Sequence, residues 1–162
     1  FGLNNGMVPI VAYNYGARRK KRIMETVRLS IGIAVTIMLL GLVIFHTIPA
    51  QLLMLFQADA HMLEVGVPAL RIISLSFIFA GYCIIVGSVF QALGNGMYSL
   101  MVSAARQLVC ILPMAWFFAK ASGLPAVWFS IPIAEIASVV LSTLLFRKIY
   151  VEKIKPLAQE GV

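Results

Sequence analysis

The sequence predicts an all-α protein, a polytopic bundle of membrane-spanning helices. Hydrophobic residues make up 61% of the 162 residues and charged residues only 12%, about half of the charged share in a soluble domain. The mean hydropathy is +0.96. The apolar residues fall into charge-free runs as long as the ~20 residues that a helix needs to cross a bilayer. Composition and arrangement therefore both indicate a protein that lies within a membrane.

The chain begins with an apolar stretch that leads into a block of basic residues. Residues 1–16 are predicted to form the end of a membrane helix. Pro9 and Gly16 are expected to shape the exit of this helix from the membrane. A basic cytoplasmic loop is predicted over residues 17–28. We call its consecutive cations the topology anchor: Arg18, Arg19, Lys20, Lys21 and Arg22. Like charges in a block cannot enter hydrocarbon cheaply, so they fix one side of the membrane, and lipid sensing is the alternative role.

Four complete spans are predicted after this loop. The first lies in the charge-free run that begins at Leu29, and a polar connector separates it from a second such run. The second run is too long for one crossing, and the turn signal Gly94-Asn95-Gly96 divides it. The predicted spans are residues 29–48, 68–93, 97–119 and 124–146. Residues 147–162 are predicted to form a polar tail.

The distribution of charge orients these spans. Four crossings return the basic residues near the end of the chain to the side of the topology anchor: Arg147, Lys148, Lys153 and Lys155. Trp116 and Trp128 then lie near the opposite interface, which suits amphipathic rings. Because loop cations collect on the inner side, we expect a multi-pass protein of the cell membrane, specifically a prokaryotic inner membrane, with a cytoplasmic C-terminus.

Arg106 and Glu135 are the charged residues deep within the predicted spans. They lie about 14 and about 16 Å from the inner ends of the last two spans. Two adjacent antiparallel helices would bring them within pairing distance, which offsets a burial cost of at least ~2.5 kcal/mol for each charge. Two interpretations remain open, a cation or proton relay around Glu135 and a structural pair that fixes helix register.

Further polar and proline residues within the spans are candidates for function. Gln91, Gln107 and Tyr82 are expected to line a polar cavity or to join helices by hydrogen bonds. Pro113 and Pro132 each remove a backbone donor and can bend a span. Such a bend suits a moving transporter, but static bent helices are also common.

No enzyme or metal site is predicted. The sequence has no HExxH, P-loop or GxSxG motif, and Cys83 and Cys110 lie in apolar runs. Two histidines fifteen residues apart, without a third ligand, do not indicate a metal site. The basic residues flank spans and do not cover a polar face, so membrane lipids are expected as partners and nucleic acid is not.

Short segments along the chain carry a family resemblance. The stretch with Pro9 and Tyr13-Asn14-Tyr15 runs into Gly16-Ala17 and the basic block. The later segments are Leu55-Phe56 with Asp59, Leu70-Arg71-Ile72, Phe90 to Gly96, Arg106-Gln107 with Pro113, Gly123-Leu124, Val127-Trp128 and Pro132 to Glu135. This ordered set resembles the second half of MATE (multidrug and toxic compound extrusion) transporters, over essentially the whole chain.

The resemblance implies a protein of about twelve helices in two six-helix lobes. This chain would supply the end of helix 8 to helix 12, with the N-terminal lobe as its missing partner, and would be inactive alone. Such proteins export small organic, often cationic, compounds by alternating access, in exchange for sodium or protons, and need no other cofactor. NorM-like members carry an acidic residue on helix 10. The corresponding span, Leu70 to Leu93, has none, so coupling would rest on the missing lobe or on Glu135.

Two other classes of protein compete with this interpretation. A flippase for lipid-linked oligosaccharides has a similar architecture, but it is expected to hold several cations in its cavity for pyrophosphate. Arg106 is the one deep cation here. A small four-helix membrane protein with a structural role is the second alternative. A start at Phe1, where an initiator Met would stand, and a half-helix before the anchor disfavour it.

Overall fold

The computed structural model describes residues 2–158, and this part of the chain contains helices and no β-strand. The helices are α1 (Gly2–Gly16), α2 (Lys20–Thr47), α3 (Pro49–Met54), α4 (Ala60–Ser74), α5 (Phe77–Ala92), α6 (Gly96–Ser122) and α7 (Leu124–Ile154). A single 3₁₀ turn, Pro156–Ala158, follows α7. The predicted all-α bundle is confirmed.

Helices α2, α6 and α7 are each long and apolar enough to cross a membrane. Helices α4 and α5 meet this criterion only as a pair, and their axes differ by 54° at the break between them. The described residues therefore contain three candidate spans, or four if the bent pair counts as one. The predicted spans over residues 97–119 and 124–146 fall within α6 and α7.

The predicted loop over residues 17–28 is mostly helix. Helix α2 begins at Lys20, so only Ala17, Arg18 and Arg19 connect it to α1. Lysine, arginine and glutamate are good helix formers, which explains why this polar segment extends the helix. The backbone reverses at Arg18, which has a positive φ of 55°. Gly16 ends α1, but the left-handed residue of this connection is Arg18.

The predicted span over residues 68–93 is broken. Helix α4 begins earlier, at Ala60, where the Asp59 carboxylate accepts a 2.7 Å hydrogen bond from the Met62 amide. At the end of α4, Ser74 Oγ donates to the Arg71 carbonyl and Ser76 Oγ donates to the Ile73 carbonyl. Serine hydroxyls that bond to nearby carbonyls compete with the regular helical pattern and favour a bend.

The predicted polar tail is partly helical. Helix α7 continues to Ile154, and its last turn, from Tyr150, is π-helical. Ile149 and Ile154 are fully buried, because this turn packs against the core of the bundle. The final part of the predicted tail, residues 159–162, lies outside the described residues, as does Phe1 of the predicted first helix.

Helix α5 forms the centre of the bundle and packs against α1, α2 and α7. Its fully buried apolar side chains are Ile85, Val86, Val89 and Phe90. Gly81 permits the close approach of α2, since a Cβ atom there would lie 3.0 Å from Met38 Cγ. Small residues at such positions are typical of membrane helix packing. On its other side, α5 faces a cleft bordered by α1, α2 and α6.

Candidate functional site

The deepest polar contact joins α6 to α7. Arg106 Nη1 donates a 2.7 Å hydrogen bond to Glu135 Oε1, and Glu135 is only 5% exposed. The two helices are antiparallel neighbours because Gly123, with a φ of +79°, reverses the chain between them. The sequence placed both residues at one depth, and the structure brings their side chains together.

The backbone that carries Arg106 is irregular. Residues Ala105–Ile111 form a π-helical segment within α6. Pro113 directly follows this segment inside the continuous helix α6, and its missing N–H leaves one carbonyl of the preceding turn without a helical donor. Such π segments occur frequently at functional sites. Pro132 lies in the first turn of the regular stretch Ser130–Ile149, beyond a turn at Trp128.

One carboxylate oxygen of Glu135 lacks a partner. Its Oε2 atom is buried and accepts no hydrogen bond from any residue that the structure describes. The nearby hydroxyls of α7 are engaged elsewhere, Ser138 Oγ with the Ala134 carbonyl and Ser142 Oγ with Cys83 Sγ at 3.8 Å. A buried polar atom without a donor is costly. The geometry therefore leaves one oxygen of Glu135 able to accept a proton or a donor group.

A cavity of about 470 Å³ lies beside the ion pair, between α1, α2, α5 and α6. Its polar lining residues are Asn4, Ser88, Gln91, Ser99, Ser103 and Arg106. Glu135 is not part of the lining and lies behind Arg106. Gln91 Nε2 donates to Ser99 Oγ at 3.2 Å, while the buried Asn4 Oδ1 has no partner among the described residues. The volume is within the usual range of sites for small organic molecules.

The structure separates other predicted site residues from this cavity. The Tyr82 hydroxyl lies 3.0 Å from Thr143 Oγ1 and joins α5 to α7, outside the cavity lining. Gln107 is exposed on a different face of α6 from Arg106. Of the predicted polar candidates, Arg106 and Gln91 are therefore in the cavity wall, and Glu135 lies behind Arg106.

Four polar lining residues were not among the predicted candidates. Ser99, Ser103 and Arg106 are spaced four and three residues apart, which places them on one face of α6. Ser88 and Gln91 share a face of α5 by the same spacing. This periodicity of polar residues in an apolar span was the available signal. Asn4 joins the cavity from α1, and no local pattern marked it.

The topology anchor is tied to the rest of the bundle. Three lysines lie over tyrosine rings of other elements at this end: Lys20 over Tyr150 at 5.3 Å, Lys148 over Tyr98 at 5.7 Å and Lys153 over Tyr15 at 5.9 Å. Lys21 pairs with Glu25 within α2 at 3.9 Å. The two basic clusters of the sequence, at its start and at its end, thus share one end of the bundle.

The described residues include no group of three or more His, Cys, Asp or Glu side chains that could hold a metal ion. The site that the structure shows combines a polar cavity with an ion pair. It provides hydroxyl and amide groups, one guanidinium in the wall and one carboxylate behind it.

Comparison with known protein sequences gives one consistent family. The family model MatE matches residues 1–117. The multidrug export protein MepA of Staphylococcus aureus is 29% identical over 136 residues, which cover 83% of this chain and 29% of that protein. MepA of Staphylococcus saprophyticus is 28% identical over 156 residues, which cover 94% of this chain and 34% of that protein.

Solved structures agree with the sequence matches. The MATE multidrug transporter DinF-BH in complex with R6G is 31% identical, with a TM-score of 0.83, over 94% of this chain and 34% of that one. An inward-facing multidrug resistance MATE family transporter is 22% identical, with a TM-score of 0.86, over 100% of this chain and 37% of that one, and this likeness shows the fold. The chain thus spans about a third of the length of its relatives. Because the family model matches well over half of its residues, the chain belongs to the MatE family, the family of MATE transporters.

Proposed function

We propose that this chain is the C-terminal part of the second lobe of a multidrug exporter. The complete protein would export small organic, often cationic, compounds by alternating access, in exchange for inward sodium or protons. The observation that carries this proposal is the polar cavity beside the deep pair of Arg106 and Glu135. Polar groups at membrane depth are costly and therefore concentrate along substrate and ion pathways.

The composition of the cavity wall favours a small organic compound as the substrate. Its polar side chains alternate with apolar ones: Met38, Ile84 and Val102. Such a wall suits a compound that combines a hydrophobic body with a few polar groups. The names of the relatives point the same way, since MepA is a multidrug export protein and DinF-BH is a multidrug transporter in complex with R6G.

The distribution of basic residues supports the membrane orientation. Lys20 of the topology anchor and Lys153 near the chain end lie at the same end of the bundle. The positive-inside tendency favours the cytoplasm for this end, and thus for the C-terminus. At the other end, Lys120 lies 4.2 Å from the centre of the Trp116 ring, where an amphipathic ring suits the interface. The bacterial relatives support a bacterial cell membrane.

An efflux assay of the complete open reading frame that encodes this chain tests the proposal. The protein is expressed in a bacterial host that lacks its own drug exporters, and the loss of preloaded ethidium is followed by fluorescence. We expect efflux above the empty-vector control that depends on a sodium or a proton gradient. Residues 1–162 expressed alone are the matched control and are expected to give none.

The same assay can contradict the proposal. A complete protein that is well expressed, yet inert toward ethidium and other cationic dyes under both gradients, would overturn multidrug export. Flipping of lipid-linked oligosaccharides would then be the function to test. Membership of the MatE family supports efflux over that alternative and over a structural four-helix protein.

A further inference from the structure

The pair of Arg106 and Glu135 is asymmetric with respect to the cavity. Arg106 belongs to the cavity wall, and a quarter of its side-chain surface, 25%, is exposed. Glu135 lies behind it with 7% of its side-chain surface exposed. Only Oε1 of the carboxylate meets the guanidinium, at 2.7 Å, and Oε2 has no partner among the described residues. The arginine therefore stands between the carboxylate and any molecule in the cavity.

We infer that Glu135 takes up the coupling proton and that Arg106, once released from it, is the charge that expels an organic cation from the cavity. This inference rests on the proposed function and deepens it. It makes the ion pair the coupling device and gives each partner a different task. Glu135 carries the proton, and Arg106 converts its arrival into a change of charge at the cavity wall.

When Glu135 is ionised, the pair is neutral as a whole. The guanidinium charge is compensated at 2.7 Å, so the cavity wall presents little net charge. A cationic substrate can then occupy the cavity among the hydroxyl and amide groups of Ser99, Ser103 and Gln91. In this state the site is ready to hold an organic cation.

Protonation of Glu135 removes this compensation of the guanidinium charge. A hydronium ion gives its proton to Oε2, so one O–H bond of hydronium breaks, an O–H bond to the carboxyl group forms, and a water molecule is left while the carboxyl group becomes neutral. Arginine keeps its charge at any physiological pH, so the positive charge of Arg106 is left uncompensated. Its exposed fraction and its long side chain allow the guanidinium to turn toward the cavity. Like charges in a site of low dielectric repel each other, and the bound cation is expelled.

The geometry favours a proton over sodium as the ion that Glu135 takes up. A hard cation prefers several oxygen ligands. Here the guanidinium already occupies one side of the carboxylate, which leaves only Oε2 free as a ligand. A proton needs only the single free oxygen.

Few other titratable groups lie around Glu135. Helix α6 contributes Arg106, and α5 contributes Cys83, which interacts with the charges of both members of the pair. Of the remaining charged groups on the packed helices, Arg71 in the last turn of α4 is exposed. Glu64 and His61 of α4 line a crevice with Trp128, two helical turns before Glu135, and Lys120 of α6 lies over Trp116. The pH dependence of substrate binding is therefore assigned to Glu135.

The test measures binding of tetraphenylphosphonium to the purified complete transporter at mildly acidic and mildly alkaline pH. For the wild type, we expect binding about tenfold weaker at acidic pH, and proton release when the cation is added, because the two linked effects are reciprocal. Glu135→Gln imitates the protonated state. It is expected to bind weakly at both pH values and to release no proton.

Two further variants separate the charge effect from a structural role. Arg106→Gln removes the expelling charge, so binding at acidic pH should rise about tenfold, to the wild-type value at alkaline pH. The double variant Arg106→Gln with Glu135→Gln should bind as tightly as Arg106→Gln does at acidic pH, and without pH dependence. A purely structural pair would instead leave the double variant as weak as Glu135→Gln, and that result would overturn the inference.

The remaining outcomes are also decisive. If binding by Glu135→Gln keeps the pH dependence of the wild type, the inference about Glu135 is wrong, while the proposed export function still stands. Transport that is driven by sodium and is insensitive to both substitutions would have the same consequence. A wild-type protein that neither binds nor exports any organic cation would overturn the proposed function and this inference together.

Discussion

Lys153 Nζ lies 2.7 Å from the backbone carbonyl oxygen of Leu93 and donates a hydrogen bond to it. The same ammonium group donates to Asn95 Oδ1, also at 2.7 Å. Leu93 terminates α5, so its carbonyl has no partner within that helix. A lysine from the end of α7 thus caps the central helix of the bundle, and it also joins α7 to the turn that leads into α6.

Replacement of this lysine by methionine should weaken the bundle. Lys153→Met keeps the aliphatic stem but removes both hydrogen bonds, and it leaves the Leu93 carbonyl without its donor. We expect a loss of about 1–3 kcal/mol, measured as a lower unfolding temperature of the purified complete protein. Lys155→Met is the matched control, since Lys155 is exposed and should tolerate the change. Equal melting of the two variants would contradict the capping role.

Close packing at Gly81 provides a second prediction. A Cβ atom there would lie 3.0 Å from Met38 Cγ and 3.5 Å from the Ala34 carbonyl oxygen, so Gly81→Val should force α2 and α5 apart. Overpacking of this kind costs about 1–3 kcal/mol, which should lower the unfolding temperature. Gly32→Val on α2 is the control, because no atom lies within 4 Å of a Cβ there. If the control is as destabilised as Gly81→Val, helix propensity and not packing explains the effect.

Long apolar helices and the shared level of the ion pair could be predicted because their signals are local. Charge-free runs mark spans, and counting 1.5 Å per residue from the span ends placed Arg106 and Glu135 at one depth. Pairing offsets much of the cost of a deep charge, so the sequence indicated that the two side chains could meet. The structure shows that contact at 2.7 Å.

Other features depend on bonding patterns that helical periodicity does not contain. Ile149 and Ile154 would lie about 140° apart on an α-helix, which argues against a shared buried face. The π-helical turn that begins at Tyr150 reduces this angle, because residues five apart come close together in a π-helix. The break between α4 and α5 likewise follows from the hydroxyl bonds of Ser74 and Ser76. The wall position of Asn4 depends on tertiary packing alone.

The cap of α4 gives a third prediction. The Asp59 carboxylate accepts the Met62 amide at 2.7 Å, and replacing an N-cap acceptor by alanine costs about 0.5–2 kcal/mol. We therefore expect Asp59→Ala to fray the start of α4, seen as faster hydrogen exchange of the amides after residue 59. Asp59→Asn retains an acceptor oxygen and should exchange as the wild type does. Fast exchange in both variants would show that charge, and not the cap bond, holds this turn.

The contact of Tyr82 with Thr143 favours one of the two roles predicted for this tyrosine, a bond between helices. Thr143 Oγ1 donates its own proton to the Val139 carbonyl at 2.7 Å, so the Tyr82 hydroxyl is the donor across the 3.0 Å gap between α5 and α7. The bond therefore depends on both side chains and on the close approach of their helices. Interhelical bonds of this kind contribute on average ~0.6 kcal/mol in membrane proteins, and at most ~1.7 kcal/mol.

A double-mutant cycle with Tyr82→Phe and Thr143→Val should give a coupling energy in this range, measured from thermal unfolding of the complete protein. Ethidium export should persist in Tyr82→Phe, because Tyr82 lies outside the cavity lining. A shift in substrate preference with no coupling energy would instead make Tyr82 a pathway residue. Intact export with measurable coupling would make it a bond between helices, which leaves recognition to the polar wall beside Arg106.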